Sequence, residues 1–290
     1  MTPLIQLLRP KHWLKNLFVF LPLIFSGELT DFIKLAKGLG IFAAFSLMAS
    51  AIYAFNDVMD ADFDRRHDQK KNRPIAAGII SQKDALAIAL VLFVLSLVLS
   101  SFISAPLARI LLLYAGMNIL YSLKLKNFVI LDVMIISIGF VLRMLSGATI
   151  SSFPPSHWIL LLTFFLSLFL GFAKRRTELV YSARHSLHQR QVLTQYSPRF
   201  LDQILSTTMA VTILCYGIYT TSDYVQQKFH TDRLIYTTPF VIFGIFYYFQ
   251  QVLLARKGED PTEILTRDRP TLLNLLLWVL SCIFIIYFRK

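Results

Sequence analysis

Nine apolar runs follow one another along this chain, and they limit what it can become. They cover residues 14–25, 35–55, 85–101, 106–123, 128–148, 158–173, 204–221, 236–255 and 272–287. Most approach the ~20 residues that cross ~30 Å of hydrocarbon. That layer has no water to satisfy backbone N–H and C=O groups, so each run must close its own hydrogen bonds as a helix. The expected fold is therefore all-α: a polytopic membrane protein of nine transmembrane helices, forming a single domain over residues 1–290. The first run is short and interrupted by Pro22, and it is expected to enter the membrane at a tilt. Composition agrees, with 56% hydrophobic residues, 16% charged residues and a mean hydropathy of +0.58. Cys215 and Cys282 fall inside apolar runs without metal-ligand spacing, so neither a disulfide framework nor zinc is expected. Arg9, Lys11 and Lys15 precede the first run as in a signal peptide. No small-residue cleavage site follows, and an uncleaved segment is expected.

The net charge of +12 is not read as a nucleic-acid signal, because the cations lie between apolar runs. Most of the 29 Lys and Arg residues fall in the N-terminal arm and the even-numbered loops. That asymmetry places the arm and those loops in the cytoplasm of a multi-pass inner-membrane protein.

The second run ends in Asn56-Asp57-x-x-Asp60-x-x-x-Asp64, followed by Lys71-Asn72-Arg73-Pro74-Ile75. Read as one continuing helix, Asn56, Asp57, Asp60 and Asp64 share a face. Like charges so close repel unless a cation sits among them. Oxygen-only ligands suit Mg²⁺, which takes one or two carboxylates together with substrate phosphates. Lys71 and Arg73 are then candidates for phosphate oxygens beyond the metal's reach.

The motif at a cytoplasmic helix end resembles the UbiA superfamily of intramembrane prenyltransferases. Four further blocks narrow the resemblance. They are residues 9–16 (RPKHWLKN), 121–126 (YSLKLK), 174–179 (KRRTEL) and 258–263 (GEDPTE) with Asp268. Together they resemble the branch that joins phosphoribosyl pyrophosphate to a polyprenyl phosphate. That resemblance implies a UbiA-like helical bundle, Mg²⁺ held by Asp57, Asp60 and Asp64, and a lipid acceptor of decaprenyl or undecaprenyl type. Prenyltransferases of the superfamily usually carry a second aspartate-rich motif in the sixth loop. Here that loop opens with Lys174, Arg175 and Arg176, and a site with cations in place of carboxylates expects more bound anion. Lys174 and Arg175 are therefore expected beside Asp57 and Asp60 in catalysis, with Glu178 a substrate-binding candidate that either orients Lys174 from four residues away or hydrogen-bonds a ribose hydroxyl.

Other candidates bind substrate. Lys15, paired with Lys11 at i, i+4, and Asn16 open the first run. Tyr121 and Lys124 close the fourth, with Lys126 read as a flank. Asp132 and Arg143 lie in the fifth run, where a charge costs roughly 2.5–3.5 kcal/mol on insertion scales. Eleven residues separate them, near three helical turns, and both are expected to line one polar cavity. Glu259, Asp260 and Asp268 are expected to close over the donor. The chain is open to self-association. Two rival classes remain: a prenyltransferase moving an isoprenyl chain to an aromatic acceptor, and a transporter.

Overall fold

A computed structural model describes residues 2–65, 70–185, 192–254 and 268–288. Eight helices are long and apolar enough to cross a membrane among those residues. They correspond to the second through ninth apolar runs. The first run is not a spanning α-helix. It forms a short helix α1 (Pro3–Leu8), a 3-10 segment Pro10–Phe20 and a single turn α2 (Leu21–Ile24). Pro10 and Pro22 each sit at the start of a helical piece, where the missing N–H costs nothing, and so divide the run.

The chain divides into two compact units, Met1–Lys126 with Leu142–Pro154, and Asn127–Val141 with Pro155–Lys290. The first unit is built on α3 (Phe32–Met59). Asp31 caps it, accepting from the N–H groups of Ile33 and Lys34. After the short α4 (Ala61–Arg65) come α5 (Gln82–Ile103) and α6 (Ala105–Leu123), capped by Ser81 and Ser104. Its core joins Val19, Ile41, Phe45, Met48, Leu111 and Leu142. Leu90, Val91 and Phe102 on α5 point outward, as expected of a hydrocarbon-facing side. Helix α7 (Leu131–Ala148) gives its last turns to this unit. There Gly147 lies against the 3-10 segment so closely that a Cβ would stand 1.9 Å from the Val19 carbonyl oxygen. Only glycine permits that approach.

The second unit holds the first turns of α7 together with α8 (His157–His185), α9 (Pro198–Thr221), α10 (Asp223–Phe229), α11 (Thr238–Leu254) and α12 (Arg269–Ile283). A π-helical turn, Phe284–Phe288, follows. Its core runs through Val133, Phe169, Phe172, Leu201, Leu205 and Tyr248. Gly171 lets α8 approach Val133 of α7, where a Cβ would meet the valine side chain at 2.4 Å.

Candidate active site

The acidic motif does not continue as one helix. Helix α3 ends at Met59, and Asp60 occupies its C-cap with φ −97° and ψ 4° before α4 begins. The break divides the carboxylates between two helices, and cations from elsewhere in the first unit join them. Asp57 and Asp64 are both buried. One nitrogen of Arg73 donates to Asp57 Oδ1 at 3.0 Å and to Asp64 Oδ2 at 2.6 Å. Arg9 donates to the same Asp57 oxygen, and its guanidinium lies 5.1 Å from the centre of the Tyr53 ring. Lys126 reaches Asp60 at 2.5 Å. Asn56 is held by the Ser122 hydroxyl. Asp62 faces away and pairs with Arg65.

Local sequence explains how the cations arrive. Pro74 fixes the chain after Arg73, and Ile75 plugs a small core of Leu7, Ala54, Ala61, Ala85 and Ala89. Arg9 adopts a left-handed backbone, φ 51° and ψ 58°, at the joint between α1 and the 3-10 segment. A ladder along α3 holds that segment in place. Asn16 Nδ2 donates to Ser46 Oγ at 3.0 Å and Trp13 Nε1 donates to Ser50 Oγ at 3.0 Å. The Ser50 hydroxyl in turn donates to the Leu8 carbonyl at 2.8 Å, and His12 meets the Tyr53 ring edge-on. Ser46, Ser50, Tyr53 and Asp57 are spaced four, three and four residues apart, which is one helical face.

Several expected partners change. Lys11 and Lys15 lie on a 3-10 segment, where i and i+3 eclipse, so i and i+4 do not share a face. Asn16 and Arg143 are joined to each other. Arg143 Nε donates to Asn16 Oδ1 at 2.8 Å and its NH2 group to the Tyr114 hydroxyl at 2.9 Å, with the guanidinium 5.1 Å and 4.9 Å from the centres of the Phe45 and Tyr114 rings, which themselves meet edge-on. Both are buried in the first unit's core. Helix α6 stops at Leu123, leaving Lys124 exposed at its C-cap, and Lys126 rather than Lys124 meets the motif. Tyr121 is half-buried and Lys71 is exposed.

A second ionic cluster lies in the second unit. Asp132 is fully buried near the start of α7. Arg175 Nε donates to its Oδ2 at 2.7 Å, and the Tyr196 hydroxyl donates to its Oδ1 at 2.8 Å. The Ile130 N–H donates to the same hydroxyl at 2.7 Å from a residue at φ 71°, a conformation β-branched residues rarely adopt. Burial, reinforced by the bond to Asp132, raises the Tyr196 phenol above its ordinary pKa and keeps it protonated as a donor. Arg175 also donates to Glu178 at 2.8 Å, so Glu178 serves Arg175, three residues away, as well as the helix face it shares with Lys174. Arg176 pairs with Asp202. Lys174 is half-buried. Glu259 and Asp260 lie outside the described residues. Asp268 is the N-cap of α12, accepting from the Thr271 N–H at 2.9 Å.

No three His, Cys, Asp or Glu side chains converge as metal ligands among the described residues. The donor chemistry at the end of α3 nevertheless fits a hard cation. Asp57, Asp60 and Asp64 offer oxygen only, and a single Arg73 nitrogen already bridges two of them as a positive charge. Sequence reasoning missed Arg9, Lys126 and Tyr196, whose partners lie 48 to 66 residues away.

The chain matches the UbiA prenyltransferase family over residues 19–263. It is 33% identical to the decaprenyl-phosphate phosphoribosyltransferase of Mycolicibacterium smegmatis over 98% of this chain and 92% of that protein. The protein of the same name from Corynebacterium glutamicum is 30% identical over 98% of this chain and 86% of its own length. A solved UbiA homolog from Archaeoglobus fulgidus, bound to GPP and Mg²⁺, matches the fold with a TM-score of 0.73 over 98% of this chain and 99% of that one, at 21% identity. By its matched length, its full-length relatives and its fold, the chain is a member of the UbiA prenyltransferase family.

Proposed function

We propose that this protein transfers a 5-phosphoribosyl group from phosphoribosyl pyrophosphate to a polyprenyl phosphate, releasing pyrophosphate at the cytoplasmic face of the inner membrane. The observation that carries this reading is the interleaving of Asp57, Asp60 and Asp64 with Arg9, Arg73 and Lys126 at the end of α3. Such a cluster suits a substrate that brings both a metal and several phosphate charges. The near full-length likeness to phosphoribosyltransferases supports the choice of donor. So does the stretch of α8 where Lys174, Arg175 and Arg176 take the place of a second aspartate motif; the helix runs on to His185, so these cations lie within it and not at the start of a loop.

In the reaction, the bond from ribose C1 to the pyrophosphate oxygen breaks and its electron pair leaves with pyrophosphate. The phosphate oxygen of the lipid forms the new bond to C1 from the opposite face, inverting that centre. The attacking oxygen is already anionic, so the chain needs no strong general base. Asp57, Asp60 and Asp64 would hold Mg²⁺, which when bound would supply charge neutralisation for the departing pyrophosphate. Arg73, Lys71 and Lys15 bind phosphate oxygens, and Asn56, Tyr121 and Lys124 orient the sugar. Lys174 binds phosphate, and Arg175, gripped by Asp132 and Glu178, keeps that stretch of α8 in register. Asn16 and Arg143 act through the seating of the N-terminal segment.

The test is incubation of the purified full chain with labelled phosphoribosyl pyrophosphate, polyprenyl phosphate and Mg²⁺. A labelled lipid and stoichiometric pyrophosphate are expected. Failure of that product, with isoprenyl transfer to an aromatic acceptor instead, would overturn the assignment.

A further inference from the structure

The ion pairs at the end of α3 carry a consequence for the order in which ligands load. Arg9 and Arg73 sit on Asp57, Arg73 also on Asp64, and Lys126 on Asp60. Three carboxylates face three cations, and the cluster is electrically balanced. A divalent ion competes for those same carboxylates. It meets two guanidinium groups and an ammonium already there, and added alone it leaves the cluster strongly positive. A diphosphate arriving with the metal supplies new acceptors for the displaced cations and returns the cluster toward neutrality. The ladder of Asn16, Trp13 and Ser50 fixes the backbone around Arg9, so its guanidinium can change partners without the N-terminal segment leaving α3.

We propose that Arg9 and Lys126 are diphosphate-binding residues that pass from Asp57 and Asp60 to phosphate oxygens as the metal takes the carboxylates, so that metal and diphosphate bind in strict cooperation. The proposal rests on the donor-site reading above. It assigns a role to two residues outside the acidic motif and predicts opposite effects on two affinities. Removing either cation withdraws a positive charge from the carboxylates and must tighten the metal alone. It also removes a phosphate partner and must weaken diphosphate.

The experiment titrates the full chain in detergent with Mn²⁺ alone, reading free Mn²⁺ by electron paramagnetic resonance. A parallel arm measures inhibition of transfer by inorganic pyrophosphate at saturating Mg²⁺. Arg9→Gln and Lys126→Gln should each bind Mn²⁺ alone about tenfold more tightly than the native chain, while the pyrophosphate inhibition constant rises about tenfold. Arg9→Lys should restore both toward native values. Equal or weaker Mn²⁺ binding in both Gln variants, with native thermal stability, overturns the exchange. Lys126 is half-buried at a helix end, so its variant keeps the test open should Arg9→Gln unfold. The Mn²⁺ arm requires no turnover. A chain that proves to use a different diphosphate donor would still show the tightening, which separates failure of this inference from failure of the assigned reaction.

Discussion

The two ionic clusters use the same chemistry in opposite ways. At the end of α3, Asp57 and Asp64 are buried, but the cations that hold them, Arg9 and Arg73, and both members of the Lys126–Asp60 pair keep 21–28% of their side chains exposed. In the second unit, Arg175 keeps 4% and Asp132 none. Water competes for the part-exposed cations of this cluster, which weakens their hold on the carboxylates. These cations can therefore be traded at little cost for an incoming ion that takes over the carboxylates. A buried pair cannot: losing one partner strands the other in a medium that solvates it poorly. The first cluster is built to exchange partners and the second to hold them. An ion pair's role is thus set by its access to water more than by the identity of its members.

The sharpest way to break this comparison is Arg175→Ala. It should destabilise the fold by about 3–5 kcal/mol by leaving Asp132 buried and unpaired. The combined Asp132→Asn, Arg175→Met variant should recover most of that loss in a thermal melt. If the single variant melts like the native chain, the second cluster is not the locked one. Asp57→Asn should do the reverse: the melt stays near native while transfer falls about a hundred- to a thousandfold, a cost of about 3–4 kcal/mol in the transition state. Tyr196→Phe removes one donor from Asp132 and the acceptor of the Ile130 N–H. A loss of about 1–3 kcal/mol in stability is expected, with turnover of the remaining folded protein preserved.

The smallest effect concerns a third polar group near the start of α3. Burial pushes Glu28 up, but Lys34 and the hydroxyls of Ser152, Ser26 and Ser151 outweigh it and hold the carboxyl at about 2, below its ordinary 4.5. A depressed carboxyl contributes stability that is complete above 4.5 and is lost as pH falls toward 2. Melts recorded from pH 6 to pH 2 should show that loss in the native chain. Glu28→Gln should flatten the Glu28-dependent part, and an identical pH profile in the variant would refute the role.

Much of this was legible in the residues. Eight of the nine apolar runs became long helices because length and hydropathy suffice to specify them. The first run departed from a spanning helix because its two prolines favour short pieces, and a 3-10 period is not visible in a pattern read for 3.6 residues per turn. The aspartate motif announced itself, but the break at Asp60 did not, for neither Met59 nor Ala61 is a helix breaker. Lys126 reads as an ordinary basic flank, and Arg9 as one residue of the block that opens the chain. Their importance comes from partners 48 and 66 residues away, which only tertiary packing brings close. Arg143 and Asp132 were marked out correctly as costly charges. Yet their spacing on one helix suggested a shared environment, whereas each has found partners of its own.

Helix α3 contains 28 residues, about 42 Å of rise, against about 30 Å of hydrocarbon. The surplus must be absorbed by leaning or by emerging past the acyl chains. In either case the position of Asp57 relative to the lipid headgroups is tied to membrane thickness. Vesicles of short- and long-chain lipids should then tune the enzyme as a dial would, with no change to a single residue.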